Sequence, residues 1–246
     1  MQWARKHGCR WDMRTSAAAA DGGHLEVLQW AWEQGCWWDE ELEEDTGEDE
    51  HTTNCCELAA GGGHLEVLKW LREHSCPWDE LTCACAAKGG HLEVLKWARE
   101  HGCPWQEDIE LSNRDCCALA AEGGQLEVLK WLREYDCPWN GETCAGAAGG
   151  GHLEMLKWAR EHHCPWDQET CEMASRGGHL EVLKWARGHH CPWGEWTCAW
   201  AADGGHLDVL KWAREHHCPW DAQTRQFAEE NGHLALLQWA VEHGAP

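Results

Sequence analysis

Apolar and polar residues recur along this chain in short blocks, and each block has the spacing of a helix. The longer block is seen in residues 91–101, HLEVLKWAREH. Its apolar residues form two adjoining rows, Leu92, Leu95 and Ala98 beside Val94, Trp97 and Ala98. The remaining stripe is polar. This pattern predicts a helix of about ten residues whose wide apolar surface is packed by neighbours on both sides.

A shorter block precedes each longer one. Residues 82–88, TCACAAK, are mostly small and stop at Gly89 and Gly90. We place Thr82 near the N-cap of a first helix and the glycines at positions of positive φ, where helices end. One copy has Asn231 in place of the first glycine, and Asn also tolerates the left-handed conformation. The two blocks therefore predict a pair of helices joined by a glycine turn.

This helix pair is repeated along the whole chain. The histidine that opens the second helix recurs every 27 residues, apart from two longer intervals of 40 and 34 residues. It occurs at His24, His64, His91, His152, His179, His206 and His233, with Gln125 in the equivalent place. One pair cannot bury its own apolar surface, whereas a stack of pairs can. We therefore predict an all-α helical solenoid of about eight helix pairs, with residues 1–8 as an N-terminal half repeat.

The repeated unit resembles the ankyrin repeat. The family pattern TPLHLAAxxGHLEVVKLLLxxGADVN lies without a gap over residues 81–106, LTCACAAKGGHLEVLKWAREHGCPWQ. The segment GHLEVLKW at 90–97 is nearly the family's own second-helix sequence. The resemblance covers essentially the whole chain and implies an ankyrin-like fold and a role in binding other proteins. Tetratricopeptide and HEAT repeats fit worse, because their helices are longer and their signatures differ.

The units are shorter than ordinary ankyrin repeats, which have about 33 residues. The missing residues belong to the projecting hairpin loop, which in the family commonly contributes to partner binding. Two insertions, 39–53 and 106–115, fall where that loop should be. We treat residues 1–246 as a single repeat domain, in which 222–246 is a C-terminal capping repeat with a more polar first helix.

Composition and charge argue against several functions. Acidic residues outnumber basic ones by 43 to 20, which gives a net charge of −23, and the basic residues form no patch. We therefore expect no binding to nucleic acid or to a membrane. No stretch approaches the ~18 apolar residues of a membrane span, and the N-terminus lacks the apolar centre of a signal peptide. With 17 cysteines and no export signal, the chain is expected in the reducing cytoplasm, with the nucleus as an alternative.

A recurring His-Cys cluster, as in REHHCPWD at 160–167, has the residue types of a metal site. Equivalent residues of stacked helices are ~8–10 Å apart, so the three copies of His163 cannot share one ion. A site that combines His163 with Cys164 and Cys171 of the next unit stays geometrically open. Elsewhere the position of His163 is taken by Gly35, Ser75, Gly102 and Asp136, which favours a polar helix end. We predict no cofactor, and keep a Cys/His-rich metal-binding or metal-buffering protein as the alternative function.

Cysteine and tryptophan occupy further repeated positions. Cysteines recur with the spacing C-x6-C, as at Cys164 and Cys171, where ankyrin repeats carry Ala or Leu. We expect them to fill the core, with a disulfide or redox role as the minor alternative. One ladder of tryptophans, which includes Trp158, takes a core leucine position of the family, and a second, which includes Trp166, follows Cys-Pro. We expect both ladders to be packed rather than open for stacking on sugars or nucleobases.

Residues that break the repeat pattern are the candidates for recognition. Trp196 shares a mostly polar row with Glu142 and Glu169, so we predict an exposed hot spot there. Trp200 belongs to a row that we predict to be core in all sizes, which consists of Ala18, Leu58, Cys85, Leu119, Gly146, Met173, Trp200 and Phe227. The acidic segment 39–50 is expected to be a solvated, disordered insertion, with docking of a basic partner or weak calcium binding as the alternatives.

No catalytic signature is found, because the chain has no Walker, HExxH or GxSxG motif. We predict a non-enzymatic, monomeric scaffold that binds a partner protein with a basic surface, through first-helix edges and inserted loops. The predicted contacts are Lys88, Glu122, Arg176, Trp196 and Asp203 on the first helices and Leu42, Ile109 and Leu111 in the loops.

Overall fold

The computed structural model describes residues 13–36, 54–104 and 115–246, and within those ranges every regular element is an α-helix. The chain divides into two compact units, Met1–Gln106 and Glu107–Pro246, which we describe separately. Several predictions lie outside the described residues. They are the half repeat 1–8, the insertion 39–53, the insertion 106–115 except Asp115, and the contacts Leu42, Ile109 and Leu111.

The first unit contains three described helix pairs. They are α1 (Met13–Asp21) with α2 (Leu25–Glu33), α3 (Cys55–Gly61) with α4 (Leu65–Glu73), and α5 (Glu80–Gly89) with α6 (Leu92–Glu100). The two helices of each pair pack on each other, and the first helices α1, α3 and α5 pack side by side in chain order.

The second unit contains five pairs of the same kind. They are α7 (Cys116–Glu122) with α8 (Leu126–Glu134), α9 (Gly141–Gly149) with α10 (Leu153–Glu161), α11 (Gln168–Arg176) with α12 (Leu180–Gly188), α13 (Glu195–Asp203) with α14 (Leu207–Glu215), and α15 (Ala222–Glu230) with α16 (Leu234–Glu242). The first helices again pack in series. The predicted all-α stack of helix pairs is therefore confirmed within each unit. The single-domain organisation and the capping role of 222–246 stay predictions.

Most first helices begin at an acidic or amide side chain. The Oδ1 atom of Asp167 accepts a hydrogen bond from the backbone N–H of Glu169 at 2.9 Å, which caps α11. Asp79 and Asn140 cap α5 and α9 in the same way. Thr82, which we placed near the cap, lies three residues further on, inside the first turn, and is buried.

The glycine pair and the following histidine form a contact between neighbouring repeats. Nε2 of His179 donates a hydrogen bond to the carbonyl oxygen of Gly149 in the preceding repeat, at 2.9 Å. Only the second glycine is left-handed, as at Gly178 with φ 74°, so the positive φ expected at the first glycine was wrong. Gly177 instead leaves room for the contact, because a Cβ there would lie 2.6 Å from both the His179 ring and the Gly149 oxygen. Asn231 takes this place with φ −91°.

The core of each pair is built from aliphatic side chains and thiols. Leu183, Ala186 and the described cysteines other than Cys85 are almost completely buried, which confirms the core-filling role predicted for cysteine at those positions. The thiols that meet are 20 residues apart, as Cys171 is hydrogen-bonded to Cys191. This contact, together with burial, raises the pKa of the Cys171 thiol and keeps it protonated.

Candidate protein-binding surface

One side of the first helices stays partly exposed and carries the residues that differ most between repeats. Three positions per helix, four and three residues apart, lie on this side because a helix has 3.6 residues per turn. We call this surface the first-helix face. In the second unit it consists of Asp115, Leu119 and Glu122 at α7, Glu142, Gly146 and Gly149 on α9, Glu169, Met173 and Arg176 on α11, Trp196, Trp200 and Asp203 on α13, and Gln223, Phe227 and Glu230 on α15.

Four of the predicted contacts lie together on this face of the second unit. Glu122 and Arg176 are exposed, and Trp196 and Asp203 are half-buried. Lys88 is exposed at the corresponding position of α5 in the first unit. The structure thus places all five residues on the first-helix sides of their units, with Lys88, Glu122, Arg176 and Asp203 at equivalent positions. Their role in binding stays a prediction.

Trp196 and Trp200 form one aromatic cluster with Phe227, and do not divide into an exposed and a core residue as predicted. All three are half-buried. The ring centroids of Trp196 and Trp200 are 5.7 Å apart, and Phe227 lies 5.7 Å from Trp200 and 6.3 Å from Trp196. The row of Trp200 is apolar without being core, because it is the middle row of the first-helix face. Large aromatic groups of this kind are typical of binding hot spots.

Arg176 connects α11 to the aromatic cluster. Its Nε lies 3.3 Å from Oδ2 of Asp203, and its guanidinium carbon lies 4.7 Å from the centre of the Trp200 ring. Both partners belong to α13. The positive charge of Arg176 is therefore compensated on the side of the helix that faces away from α9.

A gap interrupts the face at α9, because two of the three positions there are glycine. Gly146 and Gly149 form the floor of a groove of about 500 Å³, which we call the α9 groove. Gly146 is also required by packing, since a Cβ there would lie 2.8 Å from the carbonyl oxygen of Ala118 on α7. The groove is lined by Ala118, Leu119 and Glu122 of the α7 repeat, Glu142, Ala145, Gly146, Gly149 and Gly150 of the α9 repeat, and Glu169, Met173, Arg176 and Gly177 of the α11 repeat.

Carboxylates border the α9 groove where the first helices begin. Glu142 is half-buried, and its Oε2 has no hydrogen-bond partner among the described residues. Burial, followed by repulsion from Asp115 and Glu169, raises the pKa of Glu142. Partial burial and the nearby Asp167 likewise raise the pKa of Glu169. This edge of the groove therefore concentrates negative charge on the half-buried Glu142 and the more exposed Glu169.

Two further acidic side chains of the second unit are buried. Asp115 caps α7 by accepting a hydrogen bond from the N–H of Ala118 at 2.6 Å, while its Oδ2 lacks a partner among the described residues. Burial raises the pKa of Asp115 to about 6. Glu172, only 9% exposed, stands where neighbouring repeats carry Ala145 and Ala199, and burial raises its pKa as well.

The opposite side of each repeat, formed by the second helices and the turns after them, carries a regular aromatic lattice. The guanidinium carbon of Arg187 lies 4.1 Å from the Trp193 ring, Trp193 meets Trp212 edge to face at 5.9 Å, and His216 stacks on Trp212 at 4.3 Å. Equivalent contacts recur in the other repeats. The described tryptophans of both ladders are half-buried, so the expected packing occurs, but at the surface rather than in the core.

The recurring His-Cys cluster belongs to this second-helix side. His162 stacks on Trp158 and donates from Nδ1 to its carbonyl oxygen at 2.8 Å. His163 is exposed and left-handed, with φ 64°, as are Ser75 and Asp136 at the equivalent position. The thiol of Cys164 is buried and donates to the carbonyl oxygen of Asn140. In the described ranges no three His, Cys, Asp or Glu side chains are grouped to hold a metal ion, so nothing there favours the metal-binding alternative.

The sequence analysis selected two residues that line the α9 groove, Glu122 and Arg176, but it did not predict the groove or its other residues. Glu142, Glu169 and Gly146 were assigned to rows by comparing repeats, and the exchange of Leu, Gly, Met, Trp and Phe along one row was the available signal. We interpreted that exchange as tolerance in a core. A core row in stacked repeats of equal length would keep its volume more closely.

Comparison with known proteins shows a similarity to ankyrin repeats. The family model for ankyrin repeats (many copies) matches residues 55–99. The crystal structure of the human ASB11 ankyrin repeat domain is similar with a TM-score of 0.50 and 18% identity, over 72% of this chain and 84% of that one. Among curated proteins no sequence match is found. No helix in the described part of the chain is long and apolar enough to cross a membrane.

Proposed function

We propose that this chain is a non-enzymatic scaffold that binds another protein through its first-helix face. Residues 55–99 match the ankyrin repeat family model, and the fold is similar to that of an ankyrin repeat domain. One observation carries the proposal. The repeats keep nearly the same core and second-helix side but differ along this face, where the middle row of the second unit changes from Leu119 to Gly146, Met173, Trp200 and Phe227.

The chemistry of the face supports binding. A solvated surface without a partner would favour polar residues at these positions, yet Met173, Trp200 and Phe227 are left half-exposed. Aromatic and flexible apolar side chains are enriched in the central parts of protein interfaces.

The partner that fits this face has a basic surface. The net charge of the chain is −23, and Glu122, Glu142 and Glu169 concentrate part of it near the α9 groove. Such a surface accelerates encounter with a positively charged partner and repels polyanions. The proposal includes the inserted loops, with Leu42, Ile109 and Leu111, as a second contact region. It also includes a monomeric state and a cytoplasmic or nuclear location.

Proximity labelling in cells tests this function. The chain is compared with a Trp196→Ala variant and with a variant that lacks residues 39–50. Tyr135→Ala is the matched control, because Tyr135 is 59% exposed and stacks on Trp131 on the second-helix side. Circular dichroism establishes that each variant is folded.

We expect Trp196→Ala to lose a defined set of labelled proteins that Tyr135→Ala retains. Loss of labelling in the loop deletion alone would assign binding to the insertion instead of the face. Identical labelling by all four chains would contradict the proposal.

A further inference from the structure

We propose that the α9 groove binds one arginine side chain of a basic partner segment. The inference rests on the proposed function, because the groove is part of the first-helix face. It assigns a specific ligand chemistry to that part of the face.

The shape of the groove suits a long side chain rather than a flat contact. Gly146 and Gly149 remove the side chains that the other first helices of the second unit carry, so the floor is backbone and small residues. Leu119 on one side and Met173 on the other provide apolar walls, and both are half-buried. The aliphatic stem of an arginine can pack between such walls while its head group reaches the polar edge.

The charge at the edge selects a cation. Glu142 has an oxygen without a hydrogen-bond partner among the described residues, and Glu169 lies beside it on the next first helix. The one cationic side chain in the lining, Arg176, is paired with Asp203 and Trp200. Burial and nearby carboxylates, chiefly Asp115 and Glu169 for Glu142 and Asp167 for Glu169, already raise the pKa of both glutamates. A positive charge in the groove would relieve that repulsion.

Arginine fits better than lysine or a metal ion. A guanidinium is more weakly hydrated than an ammonium group and offers five N–H donors in a plane, so it can satisfy carboxylates on two helices at a partly buried edge. A metal ion requires several ligands within a few ångströms, and the described residues contain no group of three that could hold one.

Methionine NMR provides a direct test, because Met173 lines the groove and the chain has only four methionines. The full chain is labelled with 13C-methyl methionine, and a Met173→Leu variant assigns the signal. The probe is the capped peptide Gly-Arg-Gly, compared with Gly-Lys-Gly and with the same peptide containing citrulline, the neutral analogue of arginine. Met155, buried on α10 of the same unit, is the internal control.

We expect the arginine peptide to shift the Met173 signal in a saturable manner and to leave Met155 unchanged. The lysine peptide should bind more weakly, and the citrulline peptide should have no effect. Glu142→Gln and Glu169→Gln should each weaken binding about 5-fold, as expected for loss of a partly exposed ion pair. Glu154→Gln removes the same charge from an exposed pair with Lys157 on α10 and should have no effect.

Filling the groove is an independent test. Gly149→Leu should abolish the response, because its Cβ would point toward Met173 at an ordinary contact distance of 3.4 Å. The matched control is Gly61→Leu at the same position of α3, where the Cβ would lie 3.5 Å from that of Cys85.

The inference is overturned if the Met173 signal does not respond to the arginine peptide. It is also overturned if the citrulline peptide gives the same response with the native chain, or if the Glu142→Gln variant responds to the arginine peptide as the native chain does. That result would leave the proposed function intact if Trp196→Ala still loses its partners. Conversely, a specific Met173 response combined with unchanged labelling by Trp196→Ala would support the groove as a site and contradict the wider binding face.

Discussion

The two sides of the helix pairs in the second unit differ in how closely their residues and grooves recur from one repeat to the next. On the second-helix side, grooves of about 460 and 370 Å³ recur with the same lining, Trp139, Trp158 and His162 in one and Trp166, Trp185 and His189 in the next. On the first-helix face, neighbouring repeats instead place a glycine groove beside an aromatic cluster. In the second unit, the second-helix side therefore repeats the same contacts, whereas the first-helix face differs from repeat to repeat.

The difference follows from what the side chains contact. Arg187, Trp193 and Trp212 belong to two successive repeats and contact one another in series, so a change in one repeat removes a partner from the next. The histidine contact imposes the same constraint on the glycine pair. On the first-helix face the contacts between side chains, such as those of Arg176 with Asp203 and Trp200, are individual to one pair of repeats and do not recur in series.

The largest contrast should appear when a leucine is removed from each environment. Leu183 is completely buried, and Leu183→Ala should lower the free energy of unfolding by about 2–5 kcal/mol, as is usual for a buried leucine. Leu119→Ala, on the first-helix face, should lower it by less than ~1 kcal/mol, because Leu119 is half-exposed. Urea denaturation of both variants measures the two values, and equal losses would contradict the distinction.

Asp115 should destabilise the folded chain at neutral pH. Its pKa is about 6 when folded against ~3.9 for an unperturbed aspartate, so the folded state binds more protons between these values. Stability therefore falls as pH rises through this window, by up to roughly 3 kcal/mol above pH 7. Asp115→Asn keeps an oxygen to cap α7 and should stabilise the chain at pH 7.5 but hardly at pH 4. Urea denaturation at both pH values measures this, and a gain independent of pH would show that ionisation is not the cause.

Two glycines differ in whether the structure can accept a side chain at their position. Gly178 has φ 74°, and a Cβ there would lie 2.5 Å from the His206 ring. Gly178→Ala should destabilise the chain by about 1–3 kcal/mol. Gly188, at the end of α12, has no atom within 4 Å of an added Cβ, and Gly188→Ala should be neutral or stabilise by up to ~1 kcal/mol. Thermal unfolding followed by circular dichroism measures both changes in stability. An unchanged stability of Gly178→Ala would contradict the conclusion that the backbone conformation and the His206 ring require glycine there.

Each arginine–tryptophan contact of the aromatic lattice should make a modest contribution to the free energy of unfolding. Arg187→Gln removes the contact with Trp193 and the hydrogen bond to the Cys191 carbonyl oxygen, with an expected loss of about 1 kcal/mol. Lys184→Gln is the control, since its exposed pair with Glu181 should contribute less than ~0.5 kcal/mol. Chemical denaturation of the two single variants provides the comparison, and losses of the same size would argue against a structural lattice.

The smallest expected effect concerns chemical reactivity in the first unit. Cys85 is half-buried on the first-helix face, whereas Cys83, two residues earlier, is completely buried. Iodoacetamide should modify Cys85 faster than Cys83 in the native chain, because alkylation needs an accessible thiolate. Peptide mass spectrometry measures both rates, and faster modification of Cys83 would contradict the orientation of α5.

The sequence by itself determined the repeat, the helix pairs and their type. Helical spacing is a local property, and the segment GHLEVLKW with its flanking glycines contains enough of it to predict both helices and the turn. The intervals between histidines likewise placed the insertions, and the predicted contacts Glu122, Arg176 and Asp203 did prove to share one surface row.

Only the tertiary structure decided which helix sides are covered. A periodic pattern shows which residues share a side of a helix, but the neighbour that covers this side belongs to another repeat. For this reason Trp200 was assigned to the core although it is half-exposed beside Trp196. The meeting of Cys171 with Cys191 and the groove above Gly146 depend in the same way on distances between helices, which no single stretch of sequence contains.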